Sequence, residues 1–364
     1  VQRLKKTLLP EAAGAVAIVA HIDISAYLKK SPIDVLHVPA PTLGTAAHIR
    51  NFLSGTPFVI TGVTHSLGNE HFLGWALQNN ANGITAGDCL ICTTPTAQAV
   101  VESAFAQLRA TQPDFRTPAT HVIPLGISRE AFSGQTAMTR QQLGLADDDF
   151  VVLSFGRFNH QFKMDVLPLL NLAALLEGRS KRPIRLLLAG SADNGVYAAF
   201  VQEQATLIGV GAMVRVLPNI GEAQKAGLFR AADVFLSLSD NIQETFGLTV
   251  VEALAAGVPV VASDWNGYKA LVQHEVTGFL VPTKTLAAHA DWEAQLSLQP
   301  DALTHLYCAQ TTAIDLPAAC AHLLGLAQDR ERARRMGQAA SASAAQYDWS
   351  AVIWRYVGLW TRLR

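Results

Sequence analysis

Short hydrophobic runs alternate along this chain with longer stretches whose apolar positions recur at helical spacing. Up to residue 126 the runs are "DVLHVP" (34–39), "PFVITGVTH" (57–65), "DCLICTT" (88–94) and "THVIPLG" (120–126). Between them lie "TAAHIRNFL", "NEHFLGWALQNN" and "PTAQAVVESAFAQLRA". The last opens on Pro95, whose fixed φ suits a first helical turn. A second series follows: "FVVLSFGRF" (150–158), "RLLLAGSA" (185–192), "VRVLPNI" (214–220), "DVFLSLSD" (233–240), "VPVVASD" (258–264) and "GFLVPT" (278–283). Strands that are apolar throughout, each followed by a helix, predict parallel sheets covered on both faces. The expected fold class is α/β, with two doubly wound, Rossmann-like domains facing a cleft. Ligands of such sheets bind beyond the carboxyl ends of the strands.

The polar segment "ISREAFSGQTAMTRQQLGLADDD" separates the two series and reads as a linker. The domains are therefore expected at 1–145 and 146–346. A final helix, 347–364, has apolar residues at 349, 352, 353, 356, 357 and 360, the spacing of one helix face. Residue 1 is Val, and no Gly-rich strand-to-helix turn precedes "DVLHVP". With four clear strands, the first domain is expected to lack its opening strand.

Composition narrows the classes. The chain has 364 residues, half of them hydrophobic, enough for two cores. Charged residues are 16%, well below the usual ~25%, which argues for buried sheet and helix and against disorder. Net charge is −1, and no basic run marks nucleic acid as the main partner. No apolar run reaches the ~20 residues of a membrane span. "EAAGAVAIVA" is too short, and lacks the flanks, for a signal peptide. Four cysteines are too few for a disulfide scaffold. Cys89 and Cys92 form a C-x-x-C, which could be half a zinc site or a redox pair. The run around them reads as a buried strand, whose residues three apart point to opposite faces. That second reading is preferred, in a reduced, cytoplasmic setting.

The chemistry concentrates in "NIQETFGLTVVEALAAGVPVVAS" (241–263). A helix is expected to start near 245–247 and to stop at Gly257 and Pro259. Its first amides, from Phe246, Gly247, Leu248 and Thr249, would offer unpaired donors to a phosphate. Glu244 precedes the helix and Glu252 lies more than a turn inside it. Spacing alone favours two solvated glutamates; a loop at Glu244 would let both meet one ligand at different depths. "SFGRFNHQFKMD" (154–165) places Arg157 and Lys163 just beyond a strand. Arg binds phosphate as a fork and Lys as a point charge. Taken alone, that loop is better explained by two surface cations.

In combination these stretches resemble a known family. "ETFGLTVVEALAAGVPVVAS" resembles the E-x7-E signature of retaining GT-B glycosyltransferases, especially family 4 (group 1). "FGR…K" is similar to that family's phosphate-binding Arg and Lys, and "DWNGYKALVQHEVTGFLVPT" resembles the region that follows. "ITGVTHSLG", "LICTTPTAQAVV" and "VIPLGISREAF" resemble its N-terminal segments, so the likeness covers most of 34–283. The resemblance implies a nucleotide-diphosphate sugar on the second domain and a hydroxyl acceptor, carbohydrate or lipid-linked, mainly on the first. It implies that Glu244 contacts the donor sugar and Glu252 the ribose. Arg157 and Lys163 would meet the diphosphate, and the amides at 246–249 would touch sugar and phosphate. The tail would cross back to the first domain. No cofactor or metal is implied, and contact with a membrane surface is compatible with it.

His65 ends "FVITGVTH" and resembles a family histidine near the reacting sugar; a satisfied strand-end histidine is an equal reading. His48, His71 and His160 read as structural. Asn219 and Ile220 would lie near the base by position. Three departures stand out: Ala270 replaces a common acidic residue, the Arg-to-Lys spacing is one longer than in many relatives, and the first strand with its glycine-rich loop is not found. The expected activity is retaining glycosyl transfer. Alternatives are a non-catalytic nucleotide-sugar-binding relic and a glycoside phosphorylase. A dehydrogenase is disfavoured because no G-x-G-x-x-G follows a strand.

Overall fold

The computed structural model describes residues 19–68, 71–133, 138–192, 195–287, 290–296 and 298–364. Residues 1–18, and with them the question of an opening strand, lie outside the described residues. So do Asn69 and Glu70 of the expected second helix and 134–137 of the linker.

Two parallel sheets form. In the first, β1 (Val35–Val38), β2 (Val59–Val63), β3 (Cys89–Cys92) and β4 (Ala119–Val122) lie in simple chain order. In the second, β5 (Phe150–Phe155), β6 (Ile184–Gly190), β7 (Val214–Pro218), β8 (Val234–Ser237), β9 (Val260–Ser263) and β10 (Gly278–Val281) are arranged β10-β9-β8-β5-β6-β7. The order reverses between β5 and β8. That reversal is a topological switch point, where the following loops diverge and leave a crevice. The first sheet has no such reversal among the described residues.

The continuous apolar runs follow from burial on both faces of the second sheet. Phe150, Val152, Leu186, Leu188, Val234 and Leu236 face one core, packed by the helices Leu167–Leu176, Val196–Leu207 and Leu316–Gln328. Val151, Leu153, Leu187, Phe235 and Val260 face the other, packed by Glu222–Ala231 and Leu248–Ala255. Successive residues of each strand thus feed opposite cores, the two-residue period of a strand. β3 does the same for the C-x-x-C. Cys92 faces the helix Pro95–Thr111, and Cys89 faces the C-terminal helix Trp349–Leu363. Burial, with lesser help from nearby negative charge, pushes both thiols up to about 12.

Three features go beyond what the sequence pattern shows. The linker is not loose: Ile127, Phe132, Leu143 and Leu145 sink into the second core. Their spacing is irregular, so no period announces them. The tail does not bury all six of its apolar positions. Val352, Tyr356 and Leu359 meet the first sheet, while Trp349, Ile353 and Val357 stay 52%, 43% and 36% exposed. A helix lying on one sheet face covers only an arc of its surface, and those three sit on the flank. Trp360 Nε1 still reaches Thr61 Oγ1 at 3.1 Å. Finally, an antiparallel pair, β11 (Thr283–Thr285) and β12 (Thr312–Ile314), encloses the helices Ala290–Leu296 and Asp301–Gln310. That hairpin-like strap was not anticipated. No helix of the described residues is long and apolar enough to cross a membrane.

Candidate active site

The switch point decides which residues meet. β5 and β8 are neighbours, so the loop after β5 faces the loop after β8 although about eighty positions separate them. Lys163 Nζ there forms an ion pair with Glu244 Oε2, both side chains being largely buried. The Tyr268 hydroxyl donates to the same oxygen at 3.2 Å and meets Ser237 Oγ at 2.7 Å. Burial disfavours the Lys163 ammonium, but Glu244 and Tyr268 outweigh it and hold its pKa above the ordinary lysine value. Burial and then the Glu244 charge push the Tyr268 phenol up. β5 and β6 come so close beyond their ends that Gly190, at φ 146°, has no room for a Cβ against the Gly156 carbonyl.

The helix beside this pair starts at Leu248, slightly later than expected. Gly247 caps it at φ 113°, a conformation open to glycine. A Cβ there would come 2.5 Å from the Tyr268 ring. The amides of Val250 and Val251 already bond the Gly247 carbonyl, at 3.0 and 3.2 Å. Those of Leu248 and Thr249 precede any intrahelical acceptor and carry the positive end of the helix dipole.

A cleft of about 400 Å³ gathers His65, Arg157, Lys163, Glu244, Phe246, Gly247, Leu248 and Thr249. Arg157 is exposed in it and has no ion-pair partner among the described residues. Glu252 is not on that wall. It lines an adjoining cavity of about 490 Å³, and Glu222 and Leu248 belong to both. Lys225 Nζ lies 2.6 Å from Glu252 Oε1 and 5.5 Å from the centre of the Phe155 ring. Glu252 Oε2 is buried without a partner among the described residues. Burial raises the Glu252 pKa, with Lys225 opposing. The two glutamates therefore sit in neighbouring chambers, each already paired with a lysine.

The first domain grips the loop that carries Glu244. Thr245 Oγ1 donates to the His65 carbonyl, and Thr94 Oγ1 to the Thr245 carbonyl at 2.8 Å. Gln243 Nε2 reaches Ser66 Oγ at 3.1 Å. From the strap, the buried His305 contacts Asn241 Oδ1 at 3.1 Å and the Gly68 carbonyl; burial lowers its pKa. His65 itself is exposed on the cleft wall.

The other positions singled out are quieter. His48 packs on Phe52 and His160 on Tyr197, with ring centres 5.1 and 5.0 Å apart. The side chain of His71 lies outside the described residues. Asn219, at φ 59°, accepts from the Ala192 amide at 2.9 Å, and Ile220 lines the cleft. Ala270 is exposed. Sequence reasoning missed Tyr268, Ser237, Lys225 and His305. Tyr268 stood inside a motif already singled out; for the other three no spacing gave a signal.

Residues 135–305 match the family model of glycosyl transferases, group 1. The chain resembles that family. It is 34% identical over 193 residues to D-inositol 3-phosphate glycosyltransferase of Saccharomonospora viridis, which covers 52% of this chain and 44% of the relative. It is 31% identical over 233 residues to the enzyme of the same name from Segniliparus rotundus, covering 63% and 44%. The chain thus spans about half the length of the curated relatives it matches. Sucrose-phosphate synthase from Thermosynechococcus elongatus superposes with a TM-score of 0.65 at 23% identity, over 100% of this chain and 79% of that one. Anabaena Alr3699/HepE, solved with UDP, gives 0.66 at 19% identity, over 94% and 81%. At such identities the likeness concerns the fold, which is GT-B: two Rossmann-like domains facing a cleft.

Proposed function

We propose that this chain transfers a sugar from a nucleotide-diphosphate sugar to an acceptor hydroxyl, with retention at the anomeric carbon. The observation that carries the reading is the convergence, at the β5/β8 switch point, of Arg157, Lys163, Glu244 and a helix N-terminus in one cleft. Unpaired amides and a free guanidinium suit a diphosphate, and they gain strength where water is excluded. The nucleoside extends toward Glu252, whose bare Oε2 can accept from ribose hydroxyls. The relatives named for inositol phosphate glycosyl transfer and the neighbour solved with UDP support this choice of donor.

In the proposed step the bond from the anomeric carbon to the diphosphate oxygen breaks, and its electron pair leaves with the diphosphate. Arg157, Lys163 and the first helical amides stabilise that charge, without a divalent ion. The acceptor oxygen adds to the anomeric carbon from the same face, and its proton passes to the departing diphosphate. Glu244 positions the sugar, and His65 faces the reacting centre from the first domain. The test is release of nucleoside diphosphate from a panel of nucleotide sugars, in chelator, with the product's anomeric configuration read by NMR. Donor and product of the same configuration support the reading; inverted product refutes retention, and no release refutes transfer.

A second reading has its own support. The first sheet, four strands without a reversal, offers no switch point of its own among the described residues. A binding protein without transfer would be recognised by saturable donor binding and no single-turnover transfer to any acceptor tried.

A further inference from the structure

Four consecutive residues after β9 template the Glu244 loop. Trp265 Nε1 donates to the Asn241 carbonyl at 3.0 Å, and Asn266 Nδ2 to the Ile242 carbonyl at 2.9 Å. The Gly267 amide donates to the Glu244 carbonyl at 3.0 Å, and the Tyr268 hydroxyl to the Glu244 carboxylate at 3.2 Å. The fit is close: a Cβ on Gly267 would lie 2.5 Å from the Phe246 nitrogen and the Thr245 carbonyl. The turn is tied in its own right to the first domain, where Thr96 Oγ1 donates to the Asn266 carbonyl at 3.2 Å.

We infer that Tyr268 is a positioning residue for the proposed transfer, holding Glu244 in place when Lys163 turns to the diphosphate. The inference rests on the glycosyl-transfer reading for its purpose and on geometry for its content. Lys163 has two claimants, the Glu244 carboxylate that it meets now and the diphosphate that it would meet. Once the ammonium is shared, Glu244 needs another anchor. Both contacts described for the carboxylate fall on Oε2, so Oε1 is the oxygen left for a sugar hydroxyl. The Tyr268 hydroxyl suits the task because its ring is fully buried and its oxygen is fixed from behind by Ser237. A buried hydrogen bond of this kind holds direction without needing a counter-charge.

The test is Tyr268→Phe, which keeps the buried ring and removes one oxygen. With a nucleotide-sugar donor the account expects kcat to fall roughly 10- to 100-fold while KM for the donor stays within about twofold. A hydroxyl that serves only stability would lower Tm and leave kcat of the folded enzyme unchanged, and that result overturns the inference. A crystal structure of the variant with a nucleoside diphosphate bound, so that Lys163 has turned to the phosphates, gives a readout independent of turnover. The Glu244 carboxylate is expected to leave its wild-type position while the 265–268 backbone stays; an unmoved carboxylate refutes positioning even if the wild type transfers nothing. Absence of transfer by the wild type itself speaks against the glycosyl-transfer reading alone.

Discussion

The two sheets of this molecule are built from the same alternation of strand and helix, yet they do different work. The second has a strand-order reversal, and Arg157, Lys163 and Glu244 of the cleft lie on the loops that follow β5 and β8. The first runs β1 to β4 in order and sends to the cleft His65, Ser66 and Leu125, with a set of backbone and hydroxyl contacts. Similar elements thus give a site only where their order makes loops diverge. The first domain acts on the site mainly by gripping the loop that carries Glu244.

This contrast can be broken most severely at Arg157. Arg157→Ala removes an unpaired cation from the cleft and is expected to lower kcat by roughly 10²- to 10³-fold, with a smaller loss of donor affinity. Steady-state kinetics with a competent nucleotide sugar checks it. Glu252→Ala should act in the neighbouring chamber, weakening donor binding roughly 10- to 100-fold by calorimetry while kcat changes little. Equal effects on kcat from both variants would show that the two chambers are not functionally separate.

Much of the second domain was legible because parallel strands buried on both faces read as unbroken apolar runs. The helix stop at Gly257 and Pro259 followed from local rules, whereas spacing alone favoured a solvated Glu244, which the structure buries against Lys163. What periodicity does not carry is strand order. That β8 lies beside β5, bringing Lys163 to Glu244 and Tyr268 behind both, is a property of the sheet and not of any one segment. Lys225 is a similar case: its partner Glu252 sits on another helix across the fold. The linker misled for a different reason, since Ile127, Phe132, Leu143 and Leu145 are too irregularly spaced to show a face.

Smaller tests sharpen the contrast from the first domain's side. Thr94→Val removes the hydroxyl that holds the Thr245 carbonyl. Loss of one such bond is worth about 1 kcal/mol, so kcat should fall by roughly fivefold with nucleotide affinity intact. If affinity falls instead, the first domain shapes the donor site directly.

The smallest effect is on pH dependence. Asp240 lies in the loop between β8 and Glu244, and its Oδ1 is buried without a partner among the described residues. Burial first, with Asp165 nearby, pushes its carboxyl from 3.8 up to about 7, against the pull of its own backbone amide. The folded chain therefore binds this proton more tightly than the unfolded chain. Its contribution is most favourable below the ordinary carboxyl range and declines as pH rises toward 7. Asp240→Asn should leave Tm nearly unchanged at pH 4 and raise it relative to wild type at pH 8. Parallel Tm curves across that range would remove Asp240 from the account.

The central claim is that the second sheet's switch point holds a nucleoside diphosphate. Titration calorimetry with UDP, GDP and ADP, on the wild type and on Arg157→Ala, tests it most directly. The account predicts saturable one-site binding of at least one of them, weakened about tenfold in the variant. Wild-type protein that binds none of the three, or a variant that binds as well as the wild type, would contradict it.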